Sequence, residues 1–353
     1  MTSRICSAGR RVPSSPAIAA AYTDYRDSMK RREKAAVDAT LRAYQQAIAA
    51  AQARIDRLTR DLERLPESDW RRYALQERES VAREMRSLLD EAARASSLSI
   101  DANRAVGAAE GASTTSSAVS AALREAGRDA LSGMVGGVVN ESSLRAIMAQ
   151  VATDSPVTQM LTSYAATGAQ AAGDRLVQAV ALGENPRKIV GAIRSELGTE
   201  SWKALRIART EVIRAHTAGA IATMRATPTI TPAWEWAART ESACVACLAM
   251  HGTIQSTDQP PARHPNCACV VLPVVIDPTT GEALSMPMES GQDIIDQMDL
   301  AEATERFGDL RAQMLKAPDA NRVPLADMVK TRTSPEWGDT IGITPLRDLT
   351  GAA

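Results

Sequence analysis

The chain has 353 residues, with 41 basic against 42 acidic side chains and a net charge of −1, so no global basic field draws it to nucleic acid. Its 44 % hydrophobic content includes one Phe, five Tyr and five Trp, which argues against a thick aromatic core and for long helices rich in Ala, Arg and Glu. No run approaches the roughly eighteen uninterrupted apolar residues of a membrane-spanning helix, and the N-terminus lacks the apolar core of a secretory signal.

Residues 1–36 read as a flexible N-terminal arm. The runs Arg10-Arg11, Lys30-Arg31-Arg32 and Arg71-Arg72 are expected to be solvated surface. From 37 to 106 the pattern is that of a helical hairpin. Leu41, Tyr44, Ile48, Ala51, Ile55, Leu58, Leu62 and Leu65 fall on one stripe at alternating spacings of three and four, the mark of an amphipathic helix. Pro66 and Ser68 interrupt it, and a second stripe runs through Trp70, Ala74, Val81, Met85, Leu88, Ala92 and Ala95. One broken helix packed on other chains is the competing reading.

Residues 107–139 carry Gly107, Gly111, a Ser/Thr cluster from Ser113 to Ser117, and Gly133, Gly136 and Gly137. They read as a hinge with a short helix near Val119–Ala126. Asn140 is placed to cap a helix over 141–151, and Ser155-Pro156 opens another that ends at Gly183. Asn185-Pro186 repeats the device, with Gly198 closing that helix. Thr199 then caps a further helix to about Arg225, stopped by Thr227-Pro228. Trp234-Glu235-Trp236 and Cys269–Ile276 have strand character. Of the two tryptophans, one is expected in the core and the other exposed. Asp277–Gly281 reads as a turn. Residues 277–353 form a C-terminal extension with short helices near 291–316 and little pattern from 318 onward.

Four of the five cysteines lie between 244 and 269, as Cys244-Val-Ala-Cys247 and Cys267-Ala-Cys269, with His264 three residues before Cys267 and His251 four after Cys247. A CxxC turn lets two thiolates approach one metal, and a second pair from a neighbouring strand completes a tetrahedron that staples a segment poor in large apolar residues. The second pair is CxC where CxxC is usual, so two ligand sets stay open. Either all four cysteines bind, or His264 replaces Cys267 or Cys269; His251 is the weaker candidate. Structural zinc is one reading of the cluster, two disulfides a second and unpaired buried thiols a third. A redox-active CxxC lacks the βαβ context it needs. Cys6 reads as a free thiol in the arm.

The segment Ala208-Arg209-Thr210-Glu211-Val212-Ile213-Arg214-Ala215 is followed in order by Trp234 opening a strand and Arg239-Thr240-Glu241. Cys244-x-x-Cys247, Leu248–Gly252, Pro260-Pro261 and His264-Pro265-Asn266-Cys267-x-Cys269 complete the series. This order resembles the phage Mu F-like head morphogenesis family over about a fifth of the chain. Phe307-Gly308-x-x-Arg311, Pro324–Val329 and Trp337-Gly338 are similar to its usual continuation. His216 stands where a smaller polar residue such as Asn is expected. The helix-plus-sheet module is taken as 140–276. The resemblance implies a minor capsid protein of a tailed bacteriophage, made in the host cytoplasm and carried in the virion, in the head interior or at the portal vertex. Portal protein, major capsid protein and packaged DNA are the partners it implies, with roles in assembly and in DNA packaging or ejection.

From the residues themselves, Arg209 and Glu211 point to different helix faces and cannot pair. Glu211 can meet Arg214 one turn on, and Arg209 can reach Glu241 or the Trp234 strand, which together make a structural ion-pair network; a catalytic Glu/Arg pair is the alternative reading. No catalytic residue, small-molecule substrate or membrane is expected. Only three His are present and no GxxxxGKS, HExxH or paired-carboxylate motif. A metal-dependent nuclease or hydrolase built on His264 or His251 is the enzymatic alternative, and a DNA-binding internal virion protein the third. The fold class expected is α+β: predominantly helical, with an N-terminal helical hairpin and a small β-containing Cys-rich module.

Overall fold

The structure is a computed structural model that describes residues 15–135, 139–154, 157–182, 184, 186–285, 288–318, 321–334 and 337–350. The fold is α+β and mostly helical. The helices are α1 (Pro16–Arg64), α2 (Trp70–Glu125), α3 (Asp129–Val135), α4 (Glu141–Asp154), α5 (Val157–Ala181) and α6 (Pro186–Ala226). Then come β1 (Ala233–Ala237), α7 (Val245–Met250), β2 (Ile254–Ser256), β3 (Val270–Val274), α8 (Gly291–Gln297), α9 (Leu300–Phe307) and α10 (Asp309–Lys316). A 3-10 turn (Leu325–Met328), β4 (Val329–Ser334), β5 (Gly338–Ile343) and α11 (Leu346–Thr350) follow.

These elements form two compact units. One comprises Lys30–Val106 and Met148–Arg214, the other Met1–Met29, Gly107–Ile147 and Ala215–Ala353. The first is a helical assembly built on the expected hairpin. Leu58 and Leu62 of α1 and Val81 and Met85 of α2 are buried. Arg54 meets Glu84 at 3.1 Å, and Tyr73 donates to Asp61 at 2.9 Å, so α1 and α2 run antiparallel. Beyond Met85 the expected Ala92 is buried, but Leu89, Ala93, Ser96, Ser97 and Ile100 are buried with it in place of the expected Leu88 and Ala95. A straight helix drifts about 20° per heptad from a strict seven-residue repeat, which moves the stripe by one residue over this length. A Cβ on Gly168 would lie 2.4 Å from the Glu200 side chain, and one on Gly173 3.0 Å from the Arg78 carbonyl.

In the second unit Gly111, one of the glycines expected to mark a hinge, does the reverse, while Gly133 has open space around it. Residues 107–125 continue α2. A Cβ on Gly111 would fall 2.0 Å from the His216 carbonyl oxygen, and one on Gly219 1.9 Å from that of Ala108. Glycine here permits close helix approach; it does not loosen the chain. Residues 136–138 of the expected hinge lie outside the described residues. The arm is corrected in the same way, except for residues 1–14 and with them Cys6, which are outside the described set. Pro16 opens α1, Ile18, Ala21, Tyr25 and Met29 are buried at helical spacing, and Ala17 N–H donates to the Glu125 carboxylate at 3.0 Å.

Asn140 caps α4 as expected, accepting from Ser143 N–H at 2.9 Å. Ser155, Pro156, Gly183 and Asn185 are outside the described residues. The break at Gly198-Thr199 does not occur, because α6 runs unbroken from Pro186 to Ala226. A glycine costs only about 1 kcal/mol inside a helix, less than the burial of Ile193, Leu197, Leu205 and Ile207 returns.

The three-stranded antiparallel sheet has the order β2-β1-β3, with Trp234 opposite Gln255 and Pro273, and Trp236 opposite Val271. Residues 318–350, which carried little pattern, form the 3-10 turn, an antiparallel β4–β5 hairpin and α11. They matter to the cysteine module. Val245 and Leu248 of α7 are buried with Ile295, Met298, Leu315, Leu325 and Met328, so the apolar bulk missing from 244–269 comes from beyond residue 277.

Candidate metal centre

Strand β1 delivers the chain to a turn that ends at Cys244, whose backbone is extended and whose carbonyl accepts Leu248 N–H at 3.0 Å as α7 starts. Cys247 therefore lies one turn inside α7, on the side of Cys244. The return loop after β2 carries Pro260, Pro261 and Pro265. Asn266 takes a left-handed backbone (φ 63°), and Cys267 N–H donates to the His264 carbonyl at 3.1 Å. This tight turn brings His264, Cys267 and Cys269 back beside α7 before β3 begins.

Five donors converge there. Nε2 of His264 lies 3.1 Å from Cys247 Sγ and 3.4 Å from Cys244 Sγ. Cys247 and Cys267 sulfurs are 3.7 Å apart. Cys244, Cys247 and His264 form one compact set of donors, and Cys247, Cys267 and Cys269 another. All four cysteines are free thiols, so the disulfide reading is not the one adopted. An S–S bond would need about 2.05 Å. A tetrahedral zinc with Zn–S near 2.3 Å separates its sulfurs by about 3.8 Å, which the Cys247–Cys267 spacing matches. Nδ1 of His264 sits 2.8 Å from the Pro265 carbonyl. Donation to that oxygen fixes one ring proton on Nδ1, so Nε2, which faces the sulfurs, is the nitrogen that would bind a metal once its own proton is displaced, the arrangement usual behind metal-bound imidazole. The donor set fits a soft or borderline divalent metal.

The electrostatics agree. Hydrogen bonding from Cys247 holds the Cys244 thiol down at about 4 against the opposing effect of burial, with His264 helping. Cys267 is held well below the usual thiol range by its own hydrogen bond with Cys247. Cys247, which gives up those protons last, is pushed up. The bond to Cys244 raises His264 to about 9. Crowded thiols that divide into thiolate and thiol are what a cation would replace protons among.

His251 is not part of this cluster. Its Nδ1 accepts Ala238 N–H at 2.9 Å, and burial lowers its pKa. The expected split of the tryptophans is also wrong. Residues two apart on a strand share a face, and Trp234 and Trp236 are both buried, with ring centroids 5.9 Å apart. Trp234 Nε1 donates to the carbonyls of Ser256 and Gln259, each at 3.1 Å, which ties down the start of the return loop. Glu235, facing the other way, is buried and raised by desolvation to about 7.

The expected ion-pair network forms in part and with other partners. Glu211 meets Arg214 at 3.6 Å as anticipated and also the buried Arg104 at 3.5 Å. Arg209 pairs with Glu33 at 3.3 Å, and Glu241 with Arg26 at 3.0 Å. Both new partners belong to α1, which begins at Pro16 within the segment expected as a flexible arm. Arg263, His216 and Tyr25 were missed as a group. His216 stacks edge-on against Tyr25 with centroids 4.2 Å apart, and its Nε2 is 3.3 Å from Ser28 Oγ. Arg263 had occupied only a variable position in the Pro260–Cys269 pattern.

Residues 170–272, which hold the RTE helix, the tryptophan strand and all five donors, match the family model described as phage Mu protein F like protein. This segment is phage Mu F-like. The match covers under a third of the chain and falls on the segment whose motif order resembles the phage Mu F-like head morphogenesis family. No curated protein and no solved structure matches the chain. Among the described residues no helix is long and apolar enough to cross a membrane.

Proposed function

We propose that the chain is a minor capsid protein of a tailed bacteriophage. It would be incorporated in the virion, inside the head or at the portal vertex, where it acts in head assembly and DNA packaging or ejection through contacts with portal or major capsid protein. Its Cys-rich centre serves as a structural zinc staple, held by Cys244, Cys247, His264 and Cys267, with Cys269 behind them. The observation that carries this reading is the convergence of five soft donors within the Mu F-like segment. When bound, the metal supplies a cross-link between α7 and the return loop. Four protein ligands leave no position for an activated water, so the role is structural and not catalytic.

Elemental analysis of protein purified without chelator, with thiol titration alongside, tests the proposal. One zinc per chain with masked thiols is the expected result. Absence of metal with four freely reactive thiols would remove the staple. A Cys244→Ser chain is expected to be left out of assembled heads, and heads that take it up at the wild-type level would count against the assembly role.

A further inference from the structure

Five donors converge in the cysteine module, and one tetrahedral ion takes four. The donors divide into two sets of three that share Cys247, each set with its donor atoms within 4.8 Å of one another. Zinc held by Cys244, Cys247, His264 and Cys267 leaves the Cys269 thiol over. That thiol is not set apart. It belongs to the second set with Cys247 and Cys267, whose sulfurs are 3.7 Å apart. The two sets also differ in their surroundings. Cys244 and His264 are half-buried, whereas Cys247, Cys267 and Cys269 are 2 %, 3 % and 2 % exposed. Cys269 leads directly into β3, which is buried along its whole length.

We infer that Cys247, Cys267 and Cys269 form a second metal site, for one soft monovalent ion of the copper(I) kind, seated beside the zinc and sharing Cys247 and Cys267 with it. This rests on the zinc reading above and deepens it. The donors select the ion. The set is three sulfurs with no imidazole or carboxylate among them. Thiolates prefer soft ions such as copper(I), and hard cations call for oxygen. The spacing agrees, since bonds of about 2.3 Å in one plane put sulfurs about 4 Å apart. Charge balance points the same way. Zinc with three thiolates and a neutral imidazole carries one net negative charge. The second ion adds one positive charge while Cys269 releases its proton to solvent, so the buried centre gains no unpaired charge. Cys247 and Cys267 each give a further lone pair to the new ion, and no bond to zinc breaks.

The test loads the full chain with one equivalent of zinc and titrates it anaerobically with copper(I) buffered by a chromophoric chelator, with zinc release followed alongside. One copper per chain is expected with zinc retained, and copper K-edge absorption should show three sulfur neighbours. Cys269→Ser is expected to keep its zinc and to lose the copper. Copper that displaces zinc one for one, no copper uptake, or uptake by Cys269→Ser equal to wild type would each overturn the inference. So would loss of zinc from a folded Cys269→Ser chain, because Cys269 would then be a zinc ligand and no thiol would be left over. A wild-type chain that takes up no zinc overturns the staple reading and this inference with it, and metal content before copper is added tells that failure apart.

Discussion

The helices of Lys30–Val106 and Met148–Arg214 and the cysteine module of residues 233–274 hold together by different means. In the helical unit the buried positions repeat along elements such as α2, 56 residues long, and many are alanines. Each contact is small and has neighbours of the same kind. The module has strands of five, three and five residues and a helix of six. It relies on two tryptophans, a borrowed apolar cluster and one knot of donors. Redundant contacts tolerate a loss, and a knot does not. Cys247 belongs to both donor sets, so Cys247→Ser should separate the two regions most sharply. Metal binding should disappear and the module lose several kcal/mol, since structural zinc sites in peptides carry about 10 kcal/mol or more. Leu62→Ala in α1 should cost about 3 kcal/mol and leave metal content unchanged. Thermal melts and zinc analysis of both variants decide this, and a Cys247→Ser chain with full metal content would sink the contrast.

A second break-point lies where α2 and α6 approach each other beside the module. The Ala108 carbonyl would stand 1.9 Å from a Cβ on Gly219, and backbone cannot move aside as a flexible side chain can. Gly219→Ala should therefore cost about 3 kcal/mol, read as a lower urea midpoint at unchanged slope. A midpoint equal to wild type would mean that the helices separate freely.

What the sequence disclosed follows the same division. The hairpin, the Asn140 cap, the tryptophan strand and all five donors were legible because each rests on local spacing: a helical period, a capping side chain, a CxxC turn. Gly111 misled because a residue without a side chain reads alike in a hinge and in a tight helix contact, and only the partner helix distinguishes them. Gly198 misled because local helix cost was weighed without the burial that overrides it. The partners of Arg209 and Glu241 lie on α1, more than 170 residues away in the chain, and no spacing rule reaches that far. Arg263 was hidden because its hydrogen-bond partner, Thr217, lies 46 residues away in the chain.

The buried histidine near the module gives a smaller and signed effect. Burial, assisted by Arg263 and opposed by Glu110, lowers the His216 pKa to about 4 from 6.5. The folded chain thus keeps His216 neutral while the unfolded chain takes up a proton below about pH 6.5. This contribution to stability is complete above pH 6.5 and is lost as pH falls toward 4, about 2 kcal/mol after allowance for relaxation. Glu235 runs the other way, losing stability as pH rises from 4.5 to about 7. The wild-type minus His216→Asn difference in unfolding free energy should shrink by that amount between pH 6.5 and 4, independently of Glu235. A difference that stays constant with pH would show that His216 takes up its proton in the fold as readily as in the unfolded chain.

The smallest effect sharpens the comparison from the helical side. Gly191 and Gly198 sit inside α6 with nothing within 4 Å of an added Cβ, unlike Gly111 and Gly219. Alanine at either position should stabilise the chain by about 1 kcal/mol, from helix propensity and a less flexible unfolded state. The two sites are seven residues apart, roughly 10 Å along the helix, so the double variant should gain nearly the sum. The same substitution is then stabilising on one stretch of α6 and destabilising on another, and the sign reports whether a surface lies against the glycine. Loss of stability in Gly198→Ala would mean that this face of α6 is covered, and the open reading of the helix would have to be given up.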